Sequence, residues 1–129
     1  MDVSQQATRS WIVEEKHLAR SYGSGLVDAL ATPALVAFCE ETARSIPDRE
    51  LPADQGTVGT SLTIDHVAAT PSGMRVQITA TLIEIDGRRL RFTFEAIDEV
   101  ETIARGTHER FVIDKARFDA KLGAKRTAN

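Results

Sequence analysis

The sequence predicts an α+β domain in which an antiparallel sheet of about five strands wraps around one long central helix. Residues 31–45 form the longest run with the apolar spacing of a helix. Most of the chain after that run alternates apolar and polar residues with the period of a strand. The length of 129 residues, 42% of them hydrophobic and 27% charged, suits one globular domain covering residues 1–129.

The central helix has a well-marked beginning and end. Thr32 is expected to be the N-cap, and Pro33 then occupies the first helical position, where its missing N–H costs nothing. Pro47 is expected to stop the helix. A buried stripe is predicted from spacings of three and four residues, at Leu35, Phe38, Thr42 and Ile46.

One strand is predicted before this helix and four after it. The first covers residues 8–14, and an irregular segment, 17–31, separates it from the helix. The later strands are predicted at 57–69, 74–82, 90–96 and 102–113. Asp86-Gly87 is a two-residue hairpin signal, and Asp114 can cap a short C-terminal helix.

Four consecutive antiparallel strands after a long helix suggest a meander wrapped around that helix, which is the hot-dog arrangement. Such a sheet leaves an open edge that proteins usually cover by dimerisation, so we expect a homodimer.

Composition excludes several classes of partner. The net charge of −3 and the pI near 5.6 argue against a general nucleic-acid-binding protein. No apolar run approaches the roughly 18–20 residues of a membrane span, and no signal peptide is expected. Cys39 is the single cysteine, so no intrachain disulfide can form; this suits the cytoplasm, and we expect a buried, inert thiol.

Two ionisable residues lie in apolar surroundings. Glu40 follows Phe38 and Cys39 in the helix, and a partly buried acid there would be a candidate for chemistry. The alternative is a carboxylate on the solvated helix face. His66 shares a strand face with Leu62 and Ile64, where a hydrogen-bonded core histidine is more common than a catalytic one.

Thr32 is a third candidate, because a helix N-terminus offers free N–H groups that can stabilise a developing oxyanion. Thr32 and Glu40 are eight positions apart, which at a rise of about 1.5 Å per residue separates them by about 12 Å along one helix. A compact triad within one chain is therefore hard to build, and we expect the site at the interface between two subunits.

Several stretches together resemble the fluoroacetyl-CoA thioesterase-like family of hot-dog proteins. They are Ala31-Thr32 with Glu40, Gly59-Thr60 with His66 to Pro71, Gly87 to Leu90, and Gly106 to Arg110. The resemblance implies that Thr32, Glu40 and His66 are catalytic and that Gly59 lies beside the thioester carbonyl. His108 and Arg110 also match the family's pattern, and we expect strand packing or dimer contacts from them.

Further residues are expected to bind the substrate. Leu26 stands where the family's fluoroacetyl-specific member has a phenylalanine gate, so fluoroacetyl selectivity does not follow from the resemblance. Thr60 and Phe38 are expected to contact the substrate, and Arg88 and Arg89 are candidates, on charge alone, for the phosphates of coenzyme A.

The resulting interpretation is a thioesterase that hydrolyses a short or small acyl-CoA, with no cofactor and no metal. One alternative is a hot-dog enoyl-CoA hydratase with an Asp–His pair, but alternation along a strand sends Asp65 and His66 to opposite faces. The other alternative is a non-catalytic dimer that binds an acyl-CoA or another small ligand.

Overall fold

The computed structural model describes residues 1–128. The strands are β1 (Gln6–Ile12), β2 (Gln55–His66), β3 (Arg75–Asp86), β4 (Arg89–Ile97) and β5 (Thr102–Asp114). The helices are α1 (Ala19–Tyr22), α2 (Thr32–Asp48) and α3 (Lys115–Thr127), with a 3-10 turn at Glu15–His17. The predicted α+β class, the five strands and the long helix are confirmed.

The strands pair antiparallel in the order β1-β3-β4-β5-β2, which corrects the predicted four-strand meander. Only β3, β4 and β5 follow one another in space. The segment after β2 turns at Gly73, whose φ is 90°, and its N–H donates to the carbonyl of Val13 at the end of β1. The chain therefore enters β3 beside β1, and β2 remains on the opposite edge beside β5.

Helix α2 packs its predicted stripe against the inner face of the sheet. Leu35, Phe38, Thr42 and Ile46 are all buried, and the Phe38 ring stacks on Trp11 with 4.4 Å between centroids. The facing sheet residues are also apolar and buried, among them Ile78, Leu82, Leu90 and Phe92. Burial of these side chains is the main force that holds the helix in place.

The predicted ends of α2 are each displaced slightly. Ala31 is the N-cap, with extended backbone and no side-chain cap, and Thr32 is already the first helical residue. Pro47 lies inside the last turn and the helix ends at Asp48, because a proline near the end removes only its own N–H donor and the turn can still close.

The remaining local signals are confirmed with small shifts. Gly87, with φ of 60°, opens the loop between β3 and β4, one position after the predicted pair begins. Asp114 caps α3 by accepting a hydrogen bond from the Arg117 N–H at 3.1 Å.

Cys39 is buried, and desolvation raises the pKa of its thiol to about 12, so the thiolate is strongly disfavoured. Every helix in residues 1–128 is too short or too polar to span a membrane.

Candidate active site

The first residue of α2 meets the last residue of β2. Thr32 Oγ1 and His66 Nδ1 are 2.8 Å apart, which is hydrogen-bond distance, and both residues belong to the same chain. The hydroxyl of Thr32 therefore contacts a histidine ring and does not cap the helix. A hydroxyl bonded to an imidazole is the arrangement that activates an oxygen nucleophile.

Burial favours the neutral form of His66. Desolvation lowers the pKa of His66 below its ordinary value, and the backbone at Ala68 partly offsets that effect. The Nε2 atom is buried and has no hydrogen-bond partner within residues 1–128. A neutral imidazole has one nitrogen free to accept a proton, so His66 can serve as a base near neutral pH.

The Thr32–His66 pair opens into a cavity of about 330 Å³. Its other walls come from the segment before α2 and from the chain just after β2, including Gly25, Val27, Leu30 and Val67. Leu26 does not line this cavity; its side chain is 99% exposed. The position of the family's gate is therefore turned toward solvent here.

Glu40 lies two turns further along α2, beside β2 and β5. Its Oε2 accepts a hydrogen bond from Arg110 Nη1 at 3.4 Å, and its side chain is 42% exposed. Arg110 is held from a second side, because its Nε donates to Thr57 Oγ1 at 2.8 Å. Glu40 thus faces inward in part, but it forms no hydrogen bond with Thr32 or His66 of its own chain.

Gly59 of β2 makes room for the Glu40 carboxylate. A Cβ at position 59 would stand 2.6 Å from Glu40 Oε2, and 3.2 and 3.3 Å from atoms of His108 and Arg110. A contact of 2.6 Å to a Cβ does not occur and the other two are tight, so glycine is what allows the carboxylate to lie this close to the strand.

His108 completes this second cluster. Its Nδ1 lies 2.8 Å from the carbonyl oxygen of Ser61, and its Nε2 lies 3.1 Å from Arg110 Nη1. Burial lowers the pKa of His108, and Arg110 lowers it further. The sequence pattern predicts only packing or dimer contacts for His108 and Arg110, and it does not single out Thr57. The alternation that places His108 and Arg110 on the inward face of β5 can be read from the sequence. The approach of Glu40 to that strand cannot.

The other predicted substrate residues lie apart from these two clusters. Phe38 is 5% exposed and belongs to the core. Thr60 is exposed and donates to the Glu109 carbonyl at 3.3 Å. Arg89 is held by three carboxylates, those of Glu84, Asp86 and Glu109. Arg88 is exposed and donates to the Val112 carbonyl at 3.2 Å.

The described residues contain neither an Asp–His pair at His66 nor a cluster suited to a metal ion. Asp65 is exposed while His66 is half-buried, as strand alternation predicts, so the two do not form an Asp–His pair. Nowhere in the described part of the chain do three or more His, Cys, Asp or Glu side chains gather in a way that could hold a metal ion.

Comparison with known proteins identifies the family of the chain. The family model described as fluoroacetyl-CoA-specific thioesterase matches residues 13–116. The fluoroacetyl-CoA thioesterase of Streptantibioticus cattleyicolor is 38% identical over 101 residues, which cover 78% of this chain and 73% of that protein.

Solved structures extend the similarity to nearly the whole chain. A threonine-to-serine mutant of the fluoroacetyl-CoA thioesterase FlK, in complex with acetyl-CoA, superposes with a TM-score of 0.92 at 32% identity and covers 97% of this chain and 98% of that one. A hot-dog-like protein from Thermanaerovibrio acidaminovorans gives a TM-score of 0.90 at 21% identity, covering 97% and 93%. The second match supports the fold alone, and it confirms the hot-dog arrangement.

Proposed function

The chain belongs to the fluoroacetyl-CoA-specific thioesterase family and is an acyl-CoA thioesterase, and we propose that Thr32, His66 and Glu40 carry out its reaction. The substrate is a small acyl-CoA, and the products are the free acid and coenzyme A. The observation that carries the proposal is the 2.8 Å contact between Thr32 Oγ1 and His66 Nδ1 in an open cavity.

In the proposed first step, His66 Nδ1 takes the proton of the Thr32 hydroxyl while Oγ1 attacks the thioester carbonyl carbon. A C–O bond forms, the carbonyl electron pair moves to oxygen, and the C–S bond then breaks. The departing sulfur of coenzyme A takes the proton from His66. Water attacks the acyl-threonine with His66 again as base, which releases the acid and restores Thr32.

The first turn of α2 supports the negative charge that develops on the carbonyl oxygen. The positive end of the helix dipole lies beside Thr32, and the N–H groups of the first turn have no partner within the helix. Such preorganised donors are worth several kcal/mol when they face a developing oxyanion. Coenzyme A enters as part of the substrate, and the proposed reaction uses no cofactor.

Glu40 is proposed to act from the second subunit of a homodimer. Within one chain it lies about 12 Å along the helix from Thr32. Among residues 1–128, β2 is an edge strand of 12 residues that pairs with β5 on one side and with no strand on the other. A long open edge of this kind favours pairing with a second copy. A two-fold axis at that edge would bring each Glu40 toward the Thr32–His66 pair of the other chain.

We propose the cytoplasm as the location, supported by the single buried cysteine. We also propose that residues 1–129 act as one domain, which the family match over 13–116 supports. Asn129, the predicted end of that domain, lies outside the described residues.

The test is release of free thiol from acetyl-CoA by purified variants. Thr32→Ala and His66→Ala are each expected to lower kcat/KM by about 100-fold or more, because each removes the nucleophile or its base. Asp65→Asn is the matched control: it changes an exposed neighbour on the opposite strand face and should keep the wild-type rate. Full activity in either alanine variant would refute the assignment.

The same assay separates the alternatives. A non-catalytic binding dimer would bind acetyl-CoA in calorimetry and release no thiol. A hydratase would add water to an enoyl thioester and leave the thioester bond intact. Mass spectrometry of rapidly quenched enzyme should show an acetyl group on Thr32; direct attack by water or by Glu40 would leave Thr32 unmodified.

A further inference from the structure

A second concavity, of about 250 Å³, lies outside the catalytic cluster. It sits between the β3–β4 loop, the end of β5 and α3. Its lining includes two phenylalanines, three basic side chains and one acid: Phe111, Phe118, Arg88, Arg117, Lys121 and Asp114. We call it the basic–aromatic cavity. The catalytic steps above use none of these residues.

The three cations of this cavity are available to a ligand. Within residues 1–128, Arg88, Arg117 and Lys121 form no salt bridge. One guanidinium N–H of Arg88 donates to the Val112 carbonyl. Arg89, next to Arg88 in sequence, is by contrast held by three carboxylates. Asp114 is the one acid in the lining, and its carboxylate already accepts the Arg117 backbone N–H. The cavity is therefore locally positive on a chain of net charge −3.

The aromatic part of the lining is also accessible. Phe111 is 41% exposed on the outer face of the sheet, so part of its ring is open to a ligand. Phe118, from the first turns of α3, borders the same space and is half-buried. An open aromatic ring beside guanidinium groups suits a ligand with a flat ring and negatively charged oxygens. Pockets for whole small molecules measure roughly 300–1,000 Å³, so this cavity suits one end of a longer molecule.

We propose that the basic–aromatic cavity binds a phosphorylated adenosine group, with the ring against Phe111 and Phe118 and the phosphates on Arg88, Arg117 and Lys121. Two sources carry this chemistry: the tail of the acyl-CoA substrate and a free adenine nucleotide. Where the group is the substrate's tail, the inference rests on the function proposed above.

The position of the cavity indicates which active site it would serve. His66 pairs with Ala104, whereas Phe111 lies seven positions further along β5, about 23 Å away at about 3.3 Å per residue. In the antiparallel dimer proposed above, the beginning of one β2 lies beside the end of the other. The cavity of one copy, on the outer face of the sheet, would then lie at the same end of the joined sheet as the Thr32–His66 pair of the second copy.

The test compares two thioesters of the same acyl group. Acetyl-CoA carries the phosphorylated adenosine, and acetyl-pantetheine lacks it. The double variant Arg88→Gln with Lys121→Gln is expected to raise KM for acetyl-CoA about tenfold, since two charge-assisted contacts are lost, while kcat and the kinetics with acetyl-pantetheine stay unchanged. Lys125→Gln with Arg126→Gln removes the same charge from α3 outside the cavity and should leave KM unchanged.

Calorimetry with ADP and with coenzyme A gives the second measurement. Weaker ADP binding by the Arg88→Gln/Lys121→Gln variant, with unchanged KM for acetyl-CoA, would support the cavity as a site for a free nucleotide. Unchanged KM and unchanged binding of both ligands would overturn the inference. If the wild-type protein hydrolysed no thioester, the proposed function would fail, and the calorimetry would still decide whether the cavity binds the nucleotide.

Discussion

His66 and His108 differ in whether their hydrogen bonds determine which ring nitrogen carries the proton. An arginine N–H can only donate, so His108 Nε2 must accept from Arg110, and its proton must sit on Nδ1 facing the Ser61 carbonyl. His66 Nδ1 faces a hydroxyl, which can donate or accept. His108 is therefore locked in one neutral form, whereas His66 is free to exchange a proton. This difference suits His108 to positioning and His66 to catalysis.

The lock on His108 predicts different effects for two amide substitutions. In His108→Gln, the longer amide can place its oxygen near the former Nε2 and still accept from Arg110. In His108→Asn, the shorter amide reaches only the Ser61 side and leaves the Arg110 N–H unpaired in a buried place, at a cost of about 1–3 kcal/mol. Urea unfolding should show the larger loss for His108→Asn, with kcat reduced in the same order. Equal losses in the two variants would contradict the assigned tautomer.

Burial of the histidines also predicts how stability depends on pH. Desolvation lowers the pKa of His17, His66 and His108 in the folded protein. As pH falls below about 6.5, these histidines become protonated in the unfolded chain but stay neutral in the folded one. The free energy of unfolding therefore falls until pH reaches the folded pKa values. The free energy of unfolding from urea titrations should be lower at pH 5.5 than at pH 8. The difference should shrink in His66→Gln, and a flat profile in the wild type would contradict the burial effect.

At the scale of elements, local patterns predicted the identity of each segment better than its neighbours in space. The stripe from Leu35 to Ile46 and the alternation of β4 were readable because they arise from residues close in sequence. The place of β2 beside β5 was not readable, since this pairing joins residues as far apart in the chain as Gln55 and Asp114. Long-range pairing leaves almost no mark on the local pattern.

The candidate site was predictable to a similar extent. Residue types and spacing singled out Thr32, Glu40 and His66, yet Thr32 was expected to cap the helix. Its bond to His66 joins α2 to the end of β2, and 34 positions separate the two residues. The contact of Glu40 with Arg110 spans 70 positions and was equally hidden. Both contacts follow from how the helix lies on the sheet, which only the folded chain specifies.

The contact between α2 and β2 at Gly59 gives a prediction at this scale. In Gly59→Ala, the new Cβ would displace the Glu40 carboxylate, which stands 2.6 Å from that position. The carboxylate ends a flexible side chain and can turn away, but the buried His108 and Arg110 atoms at 3.2 and 3.3 Å must also give way. Stability should therefore fall by about 1–3 kcal/mol, while kcat falls at least about tenfold if Glu40 acts in the reaction.

Gly123→Ala is the matched control for that experiment. A Cβ at position 123 meets nothing within 4 Å, and alanine in a helix is favoured over glycine by about 0.5–1 kcal/mol. This variant should keep full activity and unfold at slightly higher urea. Wild-type kcat in Gly59→Ala would show that the position of the Glu40 carboxylate does not matter for catalysis.

At the scale of the whole molecule, the separation between Glu40 and the Thr32–His66 pair decides whether the active site is shared. Thr32 and His66 touch within one chain, and Glu40 does not reach them. If a second copy supplies Glu40, two inactive variants can rebuild a site when they pair. A chain with Glu40→Gln still offers Thr32 and His66, and a chain with Thr32→Ala still offers Glu40.

Mixing these two variants therefore predicts recovery of activity. Random pairing of equal amounts, after mild denaturation and refolding, makes half of the dimers mixed, and each mixed dimer has one intact site of two; thiol release should return to about a quarter of the wild-type rate. Thr32→Ala mixed with His66→Ala is the control: both residues belong to the same half of the site, so no pairing restores it. No recovery in the Glu40→Gln mixture, once sedimentation shows dimers, would place the three groups in one chain. Recovery in the control would mean that Thr32 of one chain works with His66 of the other, against their contact within one chain.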